Sequence, residues 1–470
     1  MAKTYDAIVL GGGPGGYPAA IRLGQLKQKV VCIEMEDQPG GVCLNWGCIP
    51  SKALIAASHL YEQAQHASAI GISFTGASLD PNALQEWKNG IVKKLTGGVR
   101  GLLRANGAEL VTGRGMLVAK NQVEVTDKEG KKEIYEATKG IVIATGSSTI
   151  EIPTFKFDGK RIIGAKEAVS LREIPKRLLV IGGGIIGLEL GMVYQKLGSE
   201  LTVVEALPQI LTGVDADAAA VVAKRVTKLG GKIHVGAKAL GYEKQSDGSL
   251  AVKIEISGKQ ETIACDVVLV AVGMRPNGKG IGAEAIGVKV DERGFIPSDA
   301  RCLTNVPGVY SVGDVSGAPL LAHKAMKEGE VVAEVIAGHK AAKDWVAMPG
   351  AIFTDPEIGV VGLNEAEARA KGIDVLVGKM PFAASGRAMA VRETDGFVKV
   401  VADKKTHQIL GWTIVGPSAT DMLSETMLSL EMAAVLEDVA LTVHPHPTLG
   451  EAVMIAAQHA LGHAIDILNR

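Results

Sequence analysis

The chain has 470 residues, a formal net charge of −1, 47% hydrophobic and 21% charged residues. At ~150 residues per domain this suggests about three domains, each large enough to bury a core. The balanced charge gives no support for nucleic-acid or membrane-surface binding, which requires a basic excess, and 4% aromatic residues argue against base-stacking platforms.

Fifty-eight glycines are a heavy load, above the usual ~7%, and Gly-rich turns are where backbone approaches phosphate. The N-terminus "MAKTYDAIVLGGG" lacks the basic and apolar regions of a signal peptide. No stretch approaches the ~18 consecutive apolar residues of a spanning helix. These features lead us to expect a soluble, cytoplasmic protein that contacts no membrane.

In chain order, "YDAIVLGGGPGGYPAAIRLGQLKQKVVCIE" (5–34) comes first. It reads as an apolar strand, a Gly-rich turn, a helix with small residues on one face, and a second strand ending in an acid. Gly11, Gly13 and Gly16 follow the G-x-G-x-x-G pattern, and Glu34 stands about 20 residues on. The first glycine allows the tight turn, the second lets backbone approach a pyrophosphate, and the third lets the helix pack close to the strand. The helix N-terminus stabilises the negative charge, and the acid accepts from ribose hydroxyls.

"GGVCLNWGCIPSK" (40–52) follows, with Cys43 and Cys48 five positions apart. Five cysteines in a reducing compartment do not make a disulfide framework. Cys32, Cys265 and Cys302 stand singly among apolar residues and read as buried thiols. A structural zinc site needs about four ligands, and no second cysteine pair exists. A redox-active pair stands above two buried thiols, although spacing alone does not decide it. Gly40, Gly41 and Gly47 allow close approach to a flat cofactor, and a helix starting near here would stabilise a thiolate.

"GIVIATGSS" (140–148) is an apolar strand running into a small-residue turn at Thr145 and Gly146. "RLLVIGGGIIGLELGMVYQKLGSELTVVE" (177–205) then repeats the first fingerprint: Gly182, Gly184, Gly187 and Glu205 match Gly11, Gly13, Gly16 and Glu34 at an offset of 171. One such turn is weak evidence; the full context appearing twice implies two dinucleotide sites. Glu205 suits the free 2′-hydroxyl of NAD and repels the 2′-phosphate of NADP, and "VVEALPQ" offers no arginine. "DVVLVAVGMRPN" (266–277) is another strand with a turn at Gly273, and "GVYSVGDVSG" (308–317) ends at Asp314, a candidate acceptor for a flavin ribityl hydroxyl. Two dinucleotide folds with a cysteine pair suggest FAD, NAD and a redox disulfide.

Thiol chemistry also needs a base. His59, His66 and His459 read as surface or packing residues. In "LTVHPHPTLGEAV" (441–453), prolines stiffen the turn, Thr448 is positioned to start a helix, and Glu451 follows His446 by five. A carboxylate there would hold one ring nitrogen of His446 and raise the basicity of the other.

Together "GGVCLNWGCIPSK", both fingerprints, "ATGS", "VGMRPN", "GDV", "LAHKA" and "HPHPTLGE" resemble the pyridine nucleotide-disulfide oxidoreductases, and within them the dihydrolipoamide dehydrogenase branch, over essentially the whole chain. The resemblance implies an α/β fold with two Rossmann-like dinucleotide-binding domains, for FAD and NAD, plus an α+β C-terminal dimerisation domain. The expected boundaries are 1–150 for the first part of the FAD domain, 151–276 for the NAD domain, 277–348 for a central domain completing the FAD site, and 349–470 for the interface domain. It makes Cys43 the thiol that meets substrate and Cys48 the thiol against the flavin. Lys52 would lie near the flavin and pair with Glu189, while Thr145, Gly146, Gly273 and Asp314 would join the cofactor sites. His446 and Glu451 would serve as base and orienting acid across a homodimer interface. The implied cofactors are FAD and NAD, with no metal. The implied partners are a second copy and the lipoyl domains of acyltransferase components of 2-oxo-acid dehydrogenase complexes, with no nucleic acid and no membrane.

Three positions depart from the family pattern: Trp46 within the cysteine loop, Pro445 before the histidine, and Ile185 where many members carry an aromatic residue over the flavin. Glutathione-reductase-like relatives would show a basic nucleotide site, which Glu205 opposes. Mercuric-reductase-like relatives carry a C-terminal cysteine pair, which "AIDILNR" lacks. A non-catalytic nucleotide-binding scaffold would leave the Cys, His and Glu set without purpose.

Overall fold

A computed structural model describes residues 2–469. The run Ala7 to Val9 is apolar without alternation, as expected for a strand covered on both faces, and all three residues are fully buried within Lys3–Leu10. That strand lies between Val30–Glu34 and Lys132–Ile143, both parallel to it, and Ala108–Thr112 extends the sheet beyond Val30–Glu34. Lys132–Ile143 serves two partners on its other side. Its first residues pair antiparallel with Gln122–Thr126, and its last three pair parallel with Val309–Ser311. A strand far along the chain thus returns to the N-terminal sheet and carries Gly313 and Asp314 toward the first glycine turn. The approach is close: a Cβ on Gly15 would stand 3.1 Å from Val312 Cγ2.

The second fingerprint builds an all-parallel sheet of five strands, in the order Lys232–His234, Glu200–Val204, Arg177–Ile181, Val267–Val270 and Ile162–Ile163. An antiparallel meander, Ala237–Lys244, Leu250–Ile256 and Lys259–Cys265, accompanies it. The chain enters and leaves this unit through a two-stranded ribbon in which Ser147–Thr149 pairs with Met274–Pro276.

The last unit is an antiparallel five-stranded sheet ordered Gly350–Ile352, Glu357–Gly362, Ile409–Gly416, Phe397–Asp403 and Val375–Pro381. Helices Ala419–Glu431 and Glu451–Ala460 pack on it. Its core centres on Trp412, whose indole N–H donates to Ser429 Oγ at 3.0 Å. A β-carbon on Gly378 would stand 1.9 Å from Ala456 O, so the helix sits directly on the strand. The α/β architecture with two dinucleotide-type sheets and an α+β C-terminal unit is therefore what forms. Among the described residues no helix is long and apolar enough to cross a membrane.

Candidate active site

The two glycine turns are nearly superimposable in their contacts. Gly11 (φ +105°) and Gly182 (φ +107°) occupy the left-handed region, where a Cβ would stand 2.3 Å from Ala144 O and 2.4 Å from Ala271 O respectively. A Cβ on Gly16 or Gly187 would meet Gly11 O at 1.8 Å or Gly182 O at 2.2 Å, which fixes helix against strand. The middle glycines differ in kind. Nothing lies within 4 Å of a Cβ on Gly184, and the nearest atom to one on Gly13 is Gly41 Cα at 3.6 Å. These are the open positions where a pyrophosphate would approach the starts of helices Gly16–Gln25 and Ile185–Lys196.

Glu34 accepts the amides of Gly12 at 2.8 Å and Glu36 at 3.0 Å, and Glu205 accepts those of Gly183 at 2.6 Å and Leu207 at 2.8 Å. Each acid therefore ties its strand end to its own glycine turn. Burial pushes the Glu34 carboxyl up, against the pull of its backbone donors.

The cysteine loop docks on the first turn. Gly40 N donates to Gly12 O at 2.7 Å, and a Cβ on Gly41 would stand 2.7 Å from Gly13 Cα. Cys43 sits in the short helix Gly41–Asn45, and Cys48 is the first residue of helix Cys48–Gln65. Both are thiols here. A hydrogen bond between the two side chains raises the Cys43 thiol, and burial adds to the effect. The same bond lowers Cys48; burial opposes this, while the Lys52 charge and the Cys48 backbone N–H assist it. The pair thus divides into a protonated Cys43 and a thiolate-prone Cys48. Cys32, Cys265 and Cys302 are buried and single, with Cys265 and Cys302 pushed up to about 12, first by desolvation.

Four residues along the helix, one turn after Cys48, Lys52 Nζ meets Glu189 Oε2 at 2.7 Å. Glu189 is buried at the start of the second-fingerprint helix, and its other oxygen accepts Phe353 N at 2.8 Å. The Lys52 ammonium also lies 4.5 Å above the Phe353 ring. Three units of the chain meet at this pair.

Trp46 links the cysteine loop to another unit of the chain. Its ring packs against the core of the second dinucleotide unit, and Lys166 Nζ lies 4.2 Å over its face. Ile185, beside Gly184, is 41% exposed, and Pro445 O accepts the Thr448 hydroxyl at 2.7 Å.

Asp314 Oδ2 accepts from Ser147 Oγ at 2.5 Å, and burial pushes its carboxyl up. Thr145 Oγ1 donates to Asn277 O at 2.9 Å, Asn277 N donates to Gly146 O at 2.9 Å, and Ile150 N to Gly273 O at 3.1 Å. Thr145, Gly146 and Gly273 therefore flank the two-stranded ribbon. Glu328 and Lys324 have no role in the sequence analysis. Glu328 accepts Gly313 N at 2.6 Å, and Lys324 donates to Gly317 O at 2.7 Å while pairing with Glu328 at 3.3 Å. Lys324 lies in "LAHKA", and Glu328, one helical turn on, is the signal that motif offers.

His446 Nδ1 faces Glu451 Oε1 at 2.8 Å, and Thr448 N donates to Glu451 Oε2 at 2.7 Å. Burial works against ionisation of Glu451, but the Thr448 amide and His446 hold its carboxyl below the ordinary range. The helix begins at Glu451 rather than Thr448, because the Thr448 hydroxyl is spent on Pro445 O. The His446 side chain is 82% exposed, with Leu441 and Val443 bare beside it. Among the described residues no hydrogen bond or ion pair joins this histidine to the cysteine loop of the same chain. His444, by contrast, is buried against Glu425 at 2.6 Å.

The cradles fit the cofactors that the sequence implies. The turn at Gly13 and Gly41, Glu34 and the half-buried Asp314 suit FAD, while open Gly184, Glu205 and the exposed Ile185 suit NAD.

Residues 5–329 match the pyridine nucleotide-disulphide oxidoreductase family and residues 348–457 match its dimerisation domain. The chain belongs to the pyridine nucleotide-disulphide oxidoreductases. It is 48% identical over 470 residues to the dihydrolipoyl dehydrogenase of Geobacillus stearothermophilus, covering 100% of this chain and 99% of that one. Against the dihydrolipoyl dehydrogenase of Thermus scotoductus the identity is 49%, with 100% of both chains covered, and against that of Bacillus subtilis it is 46%, with 99% and 98% covered. The fold is shared with LpdA from Mycobacterium tuberculosis (TM-score 0.89, 24% identity, covering 97% of this chain and 99% of that one). It is shared also with the flavoprotein disulfide reductase RclA from Escherichia coli (TM-score 0.86, 24% identity, 97% and 99% covered).

Proposed function

We propose that this chain, as a homodimer, oxidises protein-bound dihydrolipoyl groups to the lipoyl disulfide and reduces NAD to NADH. The observation that carries this reading is the pair of facing thiols, Cys43 in its short helix and Cys48 at the start of the next, beside the Lys52–Glu189 ion pair, with Cys43 pushed up and Cys48 down by the hydrogen bond between them. Full-length similarity to dihydrolipoyl dehydrogenases supports the substrate class.

In this reading residues 1–150 and 277–348 hold FAD, 151–276 hold NAD, and 349–470 form the subunit interface. Gly11, Gly13, Gly16, Glu34, Lys52, Thr145, Gly146 and Asp314 serve FAD; Gly182, Gly184, Gly187, Glu189, Glu205 and Gly273 serve NAD. The enzyme works in the cytoplasm, on lipoyl domains of 2-oxo-acid dehydrogenase complexes.

Glu451 fixes the Nδ1–H of His446, leaving Nε2 free to take a proton from one thiol of a dihydrolipoyl group. The high exposure of His446, which among the described residues makes no hydrogen bond or ion pair with the cysteine loop of its own chain, supports delivery to the cysteine pair of the second subunit. The substrate thiolate attacks Cys43 Sγ, the Cys43–Cys48 bond breaks, and Cys48 leaves as the thiolate its surroundings favour. The second substrate thiol attacks its own partner sulfur in the mixed disulfide while its proton passes to the departing Cys43; the lipoyl ring closes, Cys43 leaves as a thiol, and the first proton stays on His446 until solvent takes it. The substrate loses two electrons and the cysteine pair gains them. Bound FAD and NAD supply the onward hydride chemistry.

Mixing protein, NAD and dihydrolipoamide and following NADH formation tests the reading. Turnover with NAD is expected; no turnover, or a requirement for NADP, overturns it.

A further inference from the structure

The helix that begins with Cys48 carries Lys52, Ile55, His59 and Glu62 at successive three- and four-residue steps, so all lie along one face. The helix Ile185–Lys196 carries Glu189, Met192 and Lys196 in the same way, and the two helices pack together. Their near ends are joined by Lys52 and Glu189. Their far ends meet in a cluster that the reaction does not use. Lys196 Nζ lies 2.7 Å from Asp355 and 3.5 Å from Glu62, and Arg225 lies 2.9 Å from Asp355 and 2.6 Å from Glu62. Lys196 has a side chain only 4% exposed and Glu62 only 11%.

Two cations face two carboxylates, so the cluster is neutral and its members are mutually required. Removing one leaves an uncompensated buried charge, the costly case for an internal ion pair. His59, Glu62 and Asp355 bring ligand-type atoms within 4.8 Å of one another, but Lys196 and Arg225 already supply the positive charge there. The segment 353–355 closes both ends of the helix pair, with Phe353 N on Glu189 and Asp355 on Lys196.

We propose that Glu62, Lys196, Arg225 and Asp355 are positioning residues. They form a buried charge brace that holds the Cys48 helix in register with the nucleotide-turn helix, and so keeps Cys48 and Lys52 aligned with the flavin. This rests on the function proposed above. None of the four touches a reacting atom. The brace acts through the rigid helix pair, where an error of about 1 Å at the site costs up to about a hundredfold in rate.

The test is Lys196→Met in the full-length, FAD-loaded enzyme, with Lys196→Arg as the rescue and Asp355→Asn as a second, near-isosteric removal of charge. Three quantities are read: NADH production, the long-wavelength thiolate–flavin absorbance after partial reduction, and amide exchange at residues 48–52. Lys196→Met is expected to slow turnover about tenfold, weaken the absorbance band and speed the exchange, with Lys196→Arg restoring all three. If Lys196→Met does not fold, Asp355→Asn decides by the same readouts. A folded variant with lowered Tm but parental band, exchange and rate makes the cluster a mere structural fastening and overturns the proposal. The parent enzyme separates this from failure of the functional reading. Absent turnover in the parent sinks that reading, whereas a full parental rate with unchanged variants sinks the brace.

Discussion

Glu205 accepts the Gly183 amide at 2.6 Å, so the acid that ends its strand also fastens the second glycine turn. With Leu207 N on its other oxygen at 2.8 Å, two of roughly four acceptor positions are taken and about two remain for a nucleotide hydroxyl. Glu205→Ala is expected to raise the KM for NAD by about tenfold, the loss of one charge-assisted hydrogen bond, while kcat changes little and FAD content not at all. Steady-state kinetics with NAD and NADP check this; an unchanged KM would remove Glu205 from the nucleotide site.

Lys52 helps to hold Cys48 below the ordinary thiol range, after the larger contribution of the Cys43 hydrogen bond. Lys52→Met therefore lets the Cys48 thiol rise. The thiolate–flavin absorbance of the reduced enzyme is expected to appear at higher pH than in the parent. Coincident titration curves for the two proteins would show that the ammonium has no influence on the sulfur.

If His446 is the proton acceptor proposed above, His446→Gln is expected to slow NADH production by about 10²–10⁴-fold. Glu451→Gln, which leaves the ring in place with a weaker anchor, should cost about tenfold. Reduction of an artificial electron acceptor by NADH, which bypasses the dithiol step, should survive both. Co-expressed Cys43→Ser and His446→Gln chains should recover activity through mixed dimers. Failure of that recovery, with mixed dimers demonstrated, would place His446 and Cys43 in one subunit.

Asp217 is 40% exposed at the side chain. Burial disfavours its charged form, but Lys379 and Lys399 outweigh this and hold it below the ordinary aspartate value of 3.8. A carboxyl lowered on folding stabilises above its unfolded pKa and ceases to do so as pH falls through the folded one. Asp217→Asn is expected to cost about 0.5–1 kcal/mol at pH 7, a small figure because solvent screens the pair. It should also flatten the fall in Tm below about pH 4. Thermal melts across pH would discard this account if parent and variant showed parallel acid limbs.

Much of the site is legible in the sequence because its causes are local. Gly16 and Gly187 are required by the carbonyls of Gly11 and Gly182 five residues earlier, and Gly11 and Gly182 by the positive φ of their own turns, although the carbonyls that crowd those two, Ala144 O and Ala271 O, come from distant strands; the 171-residue offset exposes the equivalence. The helix start hints at a contrast between Cys43 and Cys48 without establishing it, since the contrast depends on Lys52 and on the sulfurs facing each other. Lys196 and Glu62 read as the polar ends of two unrelated helices, because nothing local indicates that residues so far apart in the chain are buried together. Trp46 is opaque for the same reason, its partner Lys166 belonging to another unit. Thr448 reads as a helix start but is not one, because the competitor for its hydroxyl, Pro445 O, is set by the turn and not by composition.

The ribbon formed by Ser147–Thr149 and Met274–Pro276 bears on ancestry and engineering. The chain departs and comes back through adjacent strands, so everything between them is attached like a plug-in cassette, with both leads side by side. Such a cassette can be exchanged for another of different coenzyme preference by splicing at two neighbouring points, without rethreading the host. What such a graft has to reproduce includes Glu189, Lys196, Arg225, Asp217 and Lys166, which reach out of the cassette to Lys52, Asp355, Glu62, Lys379, Lys399 and Trp46. Contacts of this kind make up the socket that any replacement has to match.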